Sequence, residues 1–158
     1  MRTLYLLDLD HTIIYGSYAP SEDTELLFSY SNYLKVYNRP FVREFIKELN
    51  SLNKDIIVFT TAKKDYAHEI CRLLKINTID ILSRKDCENK KDKYYKKFLP
   101  IWGEIYYRVF IIDDSPNVWL NTDKYKDKIT FIVPNEFRGE SNDKELLKYI
   151  GELSENRG

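Results

Sequence analysis

The chain lacks a disulfide framework. Its two cysteines, Cys71 and Cys87, form neither a paired scaffold nor a CxxC metal site, which fits a reducing, cytoplasmic setting. It also lacks a charge imbalance: 25 basic residues face 25 acidic ones, for a formal net charge of zero. No global field therefore argues for nucleic acid or a membrane, and only local patches remain as candidates for either. Long apolar runs are missing too. No stretch approaches the roughly 20 residues that a membrane-spanning helix needs. The run at Leu4 to Leu7 stops at Asp8 without a small-residue cleavage site, so no secretory leader is expected. There is no internal repeat and no low-complexity linker. What is present is 158 residues of ordinary apolar content with thirteen tyrosines, a length that predicts one domain over 1–158 with a real core.

Short runs rich in Ile, Val, Phe and Leu predict strands over 3–9, 55–60, 78–82, 108–113 and 129–133. Between them, helices are expected at 40–52, 65–74, 93–102 and 141–153. The first opens on Pro40 and carries Phe41, Phe45, Ile46 and Leu49 on one stripe. Alternating strands and helices imply an α/β fold, a doubly wound, mainly parallel five-stranded sheet. Residues 15–38 break the rhythm and read as a small hairpin or flap inserted after the first strand. The tail, 152–158, reads as frayed.

Four segments carry candidate chemistry. Asp8 and Asp10 end the first apolar run at i, i+2, with Thr12 two residues on. In a strand that spacing puts both carboxylates on one face, at the end of the sheet where ligands bind. Two like charges this close need a cation or a proton between them. One carboxylate would attack phosphorus; the other would protonate the leaving oxygen and then activate water. A second apolar strand ends in Thr60 and Thr61, where a hydroxyl can donate to a phosphate oxygen or simply cap the next helix. The third segment is the basic run Lys90, Lys91, Lys93, Lys96 and Lys97, with Tyr94 and Tyr95 interleaved. Most of these lysines are expected in solvent, with one turned inward to offset the charge of an aspartate and a phosphate. The fourth is a hydrophobic strand ending in Asp113 and Asp114, followed by Ser115 and Pro116. Mg²⁺ takes oxygen ligands, and Asp8, the Asp10 carbonyl and one carboxylate of this second pair would supply them.

Together these segments resemble the haloacid-dehalogenase-like phosphatases. Within them the chain is similar to the C-terminal-domain phosphatases of RNA polymerase II and their small, NLI-interacting-factor-like relatives. The stretch from Leu7 to Ile14 matches the family's DxDxT motif. Arg39-Pro40 resembles its arginine–proline segment, Phe59 through Ala67 its second motif, Ser83 through Cys87 a further family segment, and Asp113 through Trp119 its fourth motif. The resemblance spans about 4–133. It implies a Mg²⁺-dependent phosphomonoesterase with Asp8 as nucleophile forming an aspartyl-phosphate, and Asp10 as acid/base. It puts the phosphate-binding hydroxyl at Thr60. Family spacing selects Lys97 as the third-motif lysine, with Lys96 as the alternative because Phe98 replaces the usual following aspartate. Asp8, Asp10, Asp113 and Asp114 are the expected metal-site residues, either member of the last pair being the direct ligand.

The chain has no room for a large cap domain, so an open site is expected, suited to a phosphate on a macromolecule. Tyr18, Phe28, Tyr30, Tyr33 and Tyr37 would line it as an aromatic wall or form the flap's small core. Lys63, Lys64 and the 90–97 run would form a basic lip. A phosphoprotein is the favoured substrate. The competing readings are a nucleotide or polynucleotide end phosphatase, which the basic, aromatic segment favours, and an inactive phosphate-binding module. No membrane partner is expected, and the sequence leaves the oligomeric state open.

Overall fold

A computed structural model describes residues 2–19 and 23–155. Its strands and helices follow the chain in this order. Strand β1 is Thr3–Leu7, and β2 (Ile14–Ser17), β3 (Leu26–Ser29) and β4 (Lys35–Asn38) form the insertion after it. Helix α1 (Val42–Ser51), β5 (Asp55–Phe59), α2 (Lys64–Leu74) and β6 (Asp80–Leu82) come next. Then follow β7 (Glu88–Lys90), β8 (Lys93–Lys97), α3 (Pro100–Ile105), β9 (Arg108–Ile112), β10 (Trp119–Leu120), β11 (Ile129–Ile132) and α4 (Glu145–Glu155).

Five strands pair in the order β11-β9-β1-β5-β6, all parallel. This is the expected sheet, built from all five expected strands. Alternation along β1 shows why both faces are covered. Tyr5 and Leu7 join the core under α1, α2 and α4, together with Phe45, Ile46, Ile70 and Leu146. Leu4 and Leu6 point the other way, into a second core with Phe59, Phe98, Trp102 and Trp119. Each such side chain, fully buried, contributes about 1.5–3 kcal/mol.

The insertion is a three-stranded antiparallel sheet, ordered β2-β4-β3, rather than a simple hairpin. Residues 20–22 of the expected flap lie outside the described residues. No large cap stands over the sheet among the described residues. Of the expected frayed tail, 152–155 complete α4 and 156–158 lie outside the described residues. No described helix is long and apolar enough to cross a membrane.

The expected helix over 93–102 is overturned. Residues 93–97 form β8, which pairs antiparallel with β7 and parallel with β10, and helix begins only at Pro100. Two tyrosines favour a strand, and alternation then sends Lys96 and Phe98 inward while Lys97 faces out. The last helix starts at Glu145, later than expected, because Asp143 is held by Arg39. That guanidinium is fully buried. It donates to Asp143 at 2.7 and 2.9 Å, to the Thr12 carbonyl at 2.9 Å and to the Asn135 carbonyl at 2.8 Å. It thereby ties the loop after β1 to the approach to α4. A buried pair of this kind costs about 3–5 kcal/mol when one partner is removed.

Candidate active site

Register brings the candidate residues together. Leu7 pairs with Ile112 on one side and with Val58 on the other. Asp8, Asp113 and Thr60 therefore emerge close together at the carboxyl ends of three adjacent strands, where open α/β sheets bind ligands. The Asp8 amide continues the ladder to the Ile112 carbonyl at 2.9 Å. The chain then turns sharply: the Leu9 carbonyl accepts from the amides of Thr12, Ile13 and Ile14, and His11 adopts a left-handed φ of 67°. β1 thus ends before the carboxylates, and Asp8 and Asp10 sit on the turn rather than on one strand face.

At the centre lies Lys96, 1% exposed. Its ammonium donates to Asp8 Oδ1 at 2.8 Å and to Asp113 Oδ2 at 2.7 Å. Lys97, the residue selected by family spacing, is exposed one position along β8, on the opposite face. Lys96, the alternative, is the one turned toward Asp8 and Asp113, because a strand alternates its side chains. The Thr12 hydroxyl donates to Asp8 Oδ2 at 2.7 Å, with Asp114 Oδ1 at 3.1 Å, and its oxygen accepts from the Asp114 amide. Thr60 is buried; its oxygen accepts from the Ala62 amide at 3.1 Å, leaving its proton for another acceptor.

Asp10 stands apart from this group. Its Oδ1 accepts from the Tyr66 hydroxyl at 2.7 Å. It faces an open cleft of about 350 Å³ under the flap, lined also by Tyr18, Tyr30, Leu34, Lys63 and Arg84. Of the expected aromatic wall, Tyr18 and Tyr30 reach the cleft. Phe28 packs on Tyr66, Tyr33 is exposed to solvent, and Tyr37 is buried in the core. The basic run splits as well: Lys90 and Lys93 lie over the Tyr95 ring, and Arg84 lies over Tyr94.

Burial dominates the electrostatics. It raises Asp8 above the ordinary carboxylate range against the pull of Lys96. It raises Asp10 as well, partly offset by the Tyr66 hydrogen bond. Asp113 is pushed up to about 6, by burial first and then by the charge of Asp8. Burial also works against the Lys96 ammonium, but Asp8 and Asp113 outweigh it and the net shift is upward, so it stays charged. Carboxylate oxygens of Asp8, Asp113 and Asp114 lie within 4.8 Å of one another. Three formal negative charges around one ammonium leave an excess of two, and the donors are all hard oxygens. That set fits Mg²⁺.

Comparison with known proteins agrees with this geometry. A family model described as NLI interacting factor-like phosphatase matches residues 3–157. The chain belongs to that family. Among NLI interacting factor-like phosphatases and their kin, it is 30% identical to "CTD small phosphatase-like protein 2" of Dictyostelium discoideum, over 92% of this chain and 26% of that protein. It is 28% identical to the "Probable C-terminal domain small phosphatase" of the same organism, over 76% and 40%. The corresponding figures for "CTD small phosphatase-like protein 3" of Caenorhabditis elegans are 25%, 90% and 50%. The chain thus spans between about a quarter and a half of the length of these curated relatives. The fold is that of Fcp1, an essential RNA polymerase II CTD phosphatase, with a TM-score of 0.59 at 22% identity, over 99% of this chain and 51% of that one.

Sequence reasoning missed Tyr66, Trp119 and the structural role of Arg39. Trp119 donates its indole N–H to Asp113 Oδ2 at 2.9 Å. Tyr66 lies on the exposed-cleft side of α2, inside the second-motif match but without a chemical signal of its own. Arg39 had one available clue, a charged residue set between apolar segments.

Proposed function

We propose that the chain is a Mg²⁺-dependent phosphomonoesterase acting on phosphoprotein, with Asp8 as nucleophile. One observation carries the reading: a buried lysine bridges Asp8 to Asp113 at the sheet's carboxyl edge, with the Thr60 hydroxyl one strand away. Asp8 attacks phosphorus, the ester P–O bond breaks, and Asp10 gives its proton to the leaving oxygen. Water then attacks the aspartyl-phosphate, Asp10 takes a proton from it, and phosphate departs as the P–O bond to Asp8 breaks. The raised pKa of Asp10 suits its first duty, since the group holds a proton at higher pH than a free carboxylate would.

Lys96 and Thr60 supply positive charge and a hydrogen bond to the phosphoryl oxygens, where catalysis of this reaction resides. Asp8, Asp113, Asp114 and the main-chain carbonyl of Asp10 would hold the cation. When bound, Mg²⁺ neutralises charge that develops on the transferring phosphoryl group. The open cleft beside Asp10 supports a phosphate displayed on a polypeptide over one carried by a small metabolite. The names of the three relatives, each a CTD or C-terminal-domain small phosphatase, point the same way.

The test is hydrolysis of p-nitrophenyl phosphate and of phosphoserine, phosphothreonine and phosphotyrosine peptides, with Mg²⁺ and with EDTA. Asp8→Asn should lower turnover by roughly 10⁴-fold or more with folding unchanged. Substantial turnover by that variant would sink the assignment. The basic hairpin β7–β8 supports a second reading, a polynucleotide end phosphatase. Faster, salt-sensitive hydrolysis of 3′- or 5′-phosphorylated oligonucleotides would favour it.

A further inference from the structure

We infer that Trp119 is a positioning residue, fixing how Asp113 presents itself to a cation and how Lys96 is aimed at Asp8. The inference rests on the cation-assisted reading above. A carboxylate has about four lone-pair positions, and three of those on Asp113 are already committed. Oδ1 accepts from the Ser115 amide at 2.9 Å, and Oδ2 accepts from both Lys96 at 2.7 Å and the Trp119 indole at 2.9 Å. One position remains, on Oδ1. Without the indole, Oδ2 would also be open, and the carboxylate could turn or take a cation through both oxygens.

Trp119 is well placed to impose this. It is 7% exposed and pairs in register with Lys96, across β10 and β8. Its ring stands edge-on to Phe59 at 5.4 Å, within the second core. The Lys96 ammonium lies 5.6 Å from the Trp119 ring centroid, where the π-face is attractive to a cation. One side chain therefore touches both members of the Lys96–Asp113 pair, through different atoms and with its own rotamer locked by packing. Groups that orient a metal ligand in this way affect metal affinity about 10–100-fold when removed.

The test is direct binding of Mn²⁺, standing in for Mg²⁺, to the metal-free protein, followed by electron paramagnetic resonance. Wild type should bind, and Asp113→Asn should not. Trp119→Phe should bind about 10–100-fold more weakly, whereas Trp102→Phe, which trims the same core, should bind as wild type does. Benzothienylalanine at position 119 keeps the shape of tryptophan and lacks the N–H, so it should reproduce the weakening if the phenylalanine variant fails to fold. Wild-type affinity in the position-119 variants, with binding still dependent on Asp113, would overturn the inference and leave the proposed function standing. Equal weakening in Trp102→Phe would overturn it as well, reducing the effect to general loosening. Failure of wild type to bind Mn²⁺ would overturn the cation-assisted reading and this inference together.

Discussion

At the carboxyl edge of the sheet, Asp8 and Asp113 are buried and share one ammonium, and burial drives both above the ordinary carboxylate range. At the opposite edge, Asp55 opens β5 half-exposed and accepts from the Tyr106 hydroxyl at 2.6 Å and from Arg2 at 2.8 Å. There the Tyr106 hydrogen bond, helped by Arg2, holds the carboxylate below its usual range. The same strands thus carry a group that folding strains at one end and a group that folding stabilises at the other. The difference is what the proposed function requires of the first. Two carboxylates are buried against one lysine there, with a third, Asp114, close by and half-buried, and stability given up at such a site is the common trade against activity.

The largest expected effect separates Lys96→Met from Lys97→Met. The first removes the only cation that contacts Asp8 and Asp113 among the described residues, and turnover of p-nitrophenyl phosphate should fall by about 10³-fold or more. The second alters an exposed side chain and should leave turnover within about twofold. Equal effects would mean that β8 does not face the site as described.

That pair also shows what was legible in the sequence. The five parallel strands could be read because each is a short apolar run, and a buried strand needs little else. Asp8, Asp10, Thr60, Asp113 and Asp114 could be read because they terminate such runs. Lys96 is obscured by its surroundings: nine charged or aromatic residues in a row, 90–98, fit a solvated helix as easily as a strand. The alternation that buries Lys96 and Phe98 becomes visible only once β8 is paired. Arg39, Tyr66 and Trp119 are a different case. Arg39 meets Asp143 and Tyr66 meets Asp10 across long stretches of chain, and no local pattern announces a contact that only the folded topology creates. Trp119 is near Asp113 in sequence, yet an indole beside a strand end reads as core, and its polar tip has no signature.

The second expected effect is on stability against pH, with EDTA present. Folded Asp113 holds its proton up to about 6, against a usual value of 3.8. Between those values the native chain binds more protons than the unfolded one, so unfolding free energy falls as pH rises. Asp8 and Asp10 shift in the same direction. Urea denaturation should therefore show the metal-free protein more stable at pH 5 than at pH 7, on the order of 1–3 kcal/mol. Saturating Mg²⁺ favours the ionised carboxylates and should reverse that slope. A metal-free protein that loses stability steadily from pH 7 to pH 5 would refute the contrast between the two edges.

The smallest effect comes from the quiet edge. Tyr106→Phe removes the hydroxyl that does most to hold Asp55 down while keeping a ring that is 3% exposed and packed in the second core. A hydrogen bond to a charged acceptor at a partly exposed site contributes about 1 kcal/mol after solvent screening. Because the folded pKa of Asp55 is depressed, that contribution is present above the usual carboxylate value of 3.8 and is lost as pH falls through the lower, folded value. The variant should thus be destabilised at pH 7, should approach wild type near pH 2–3, and should turn over substrate at the wild-type rate throughout the neutral range. A change in turnover larger than about twofold would show that the two edges of the sheet are coupled, and that the division between a strained working end and a stabilising one is too simple.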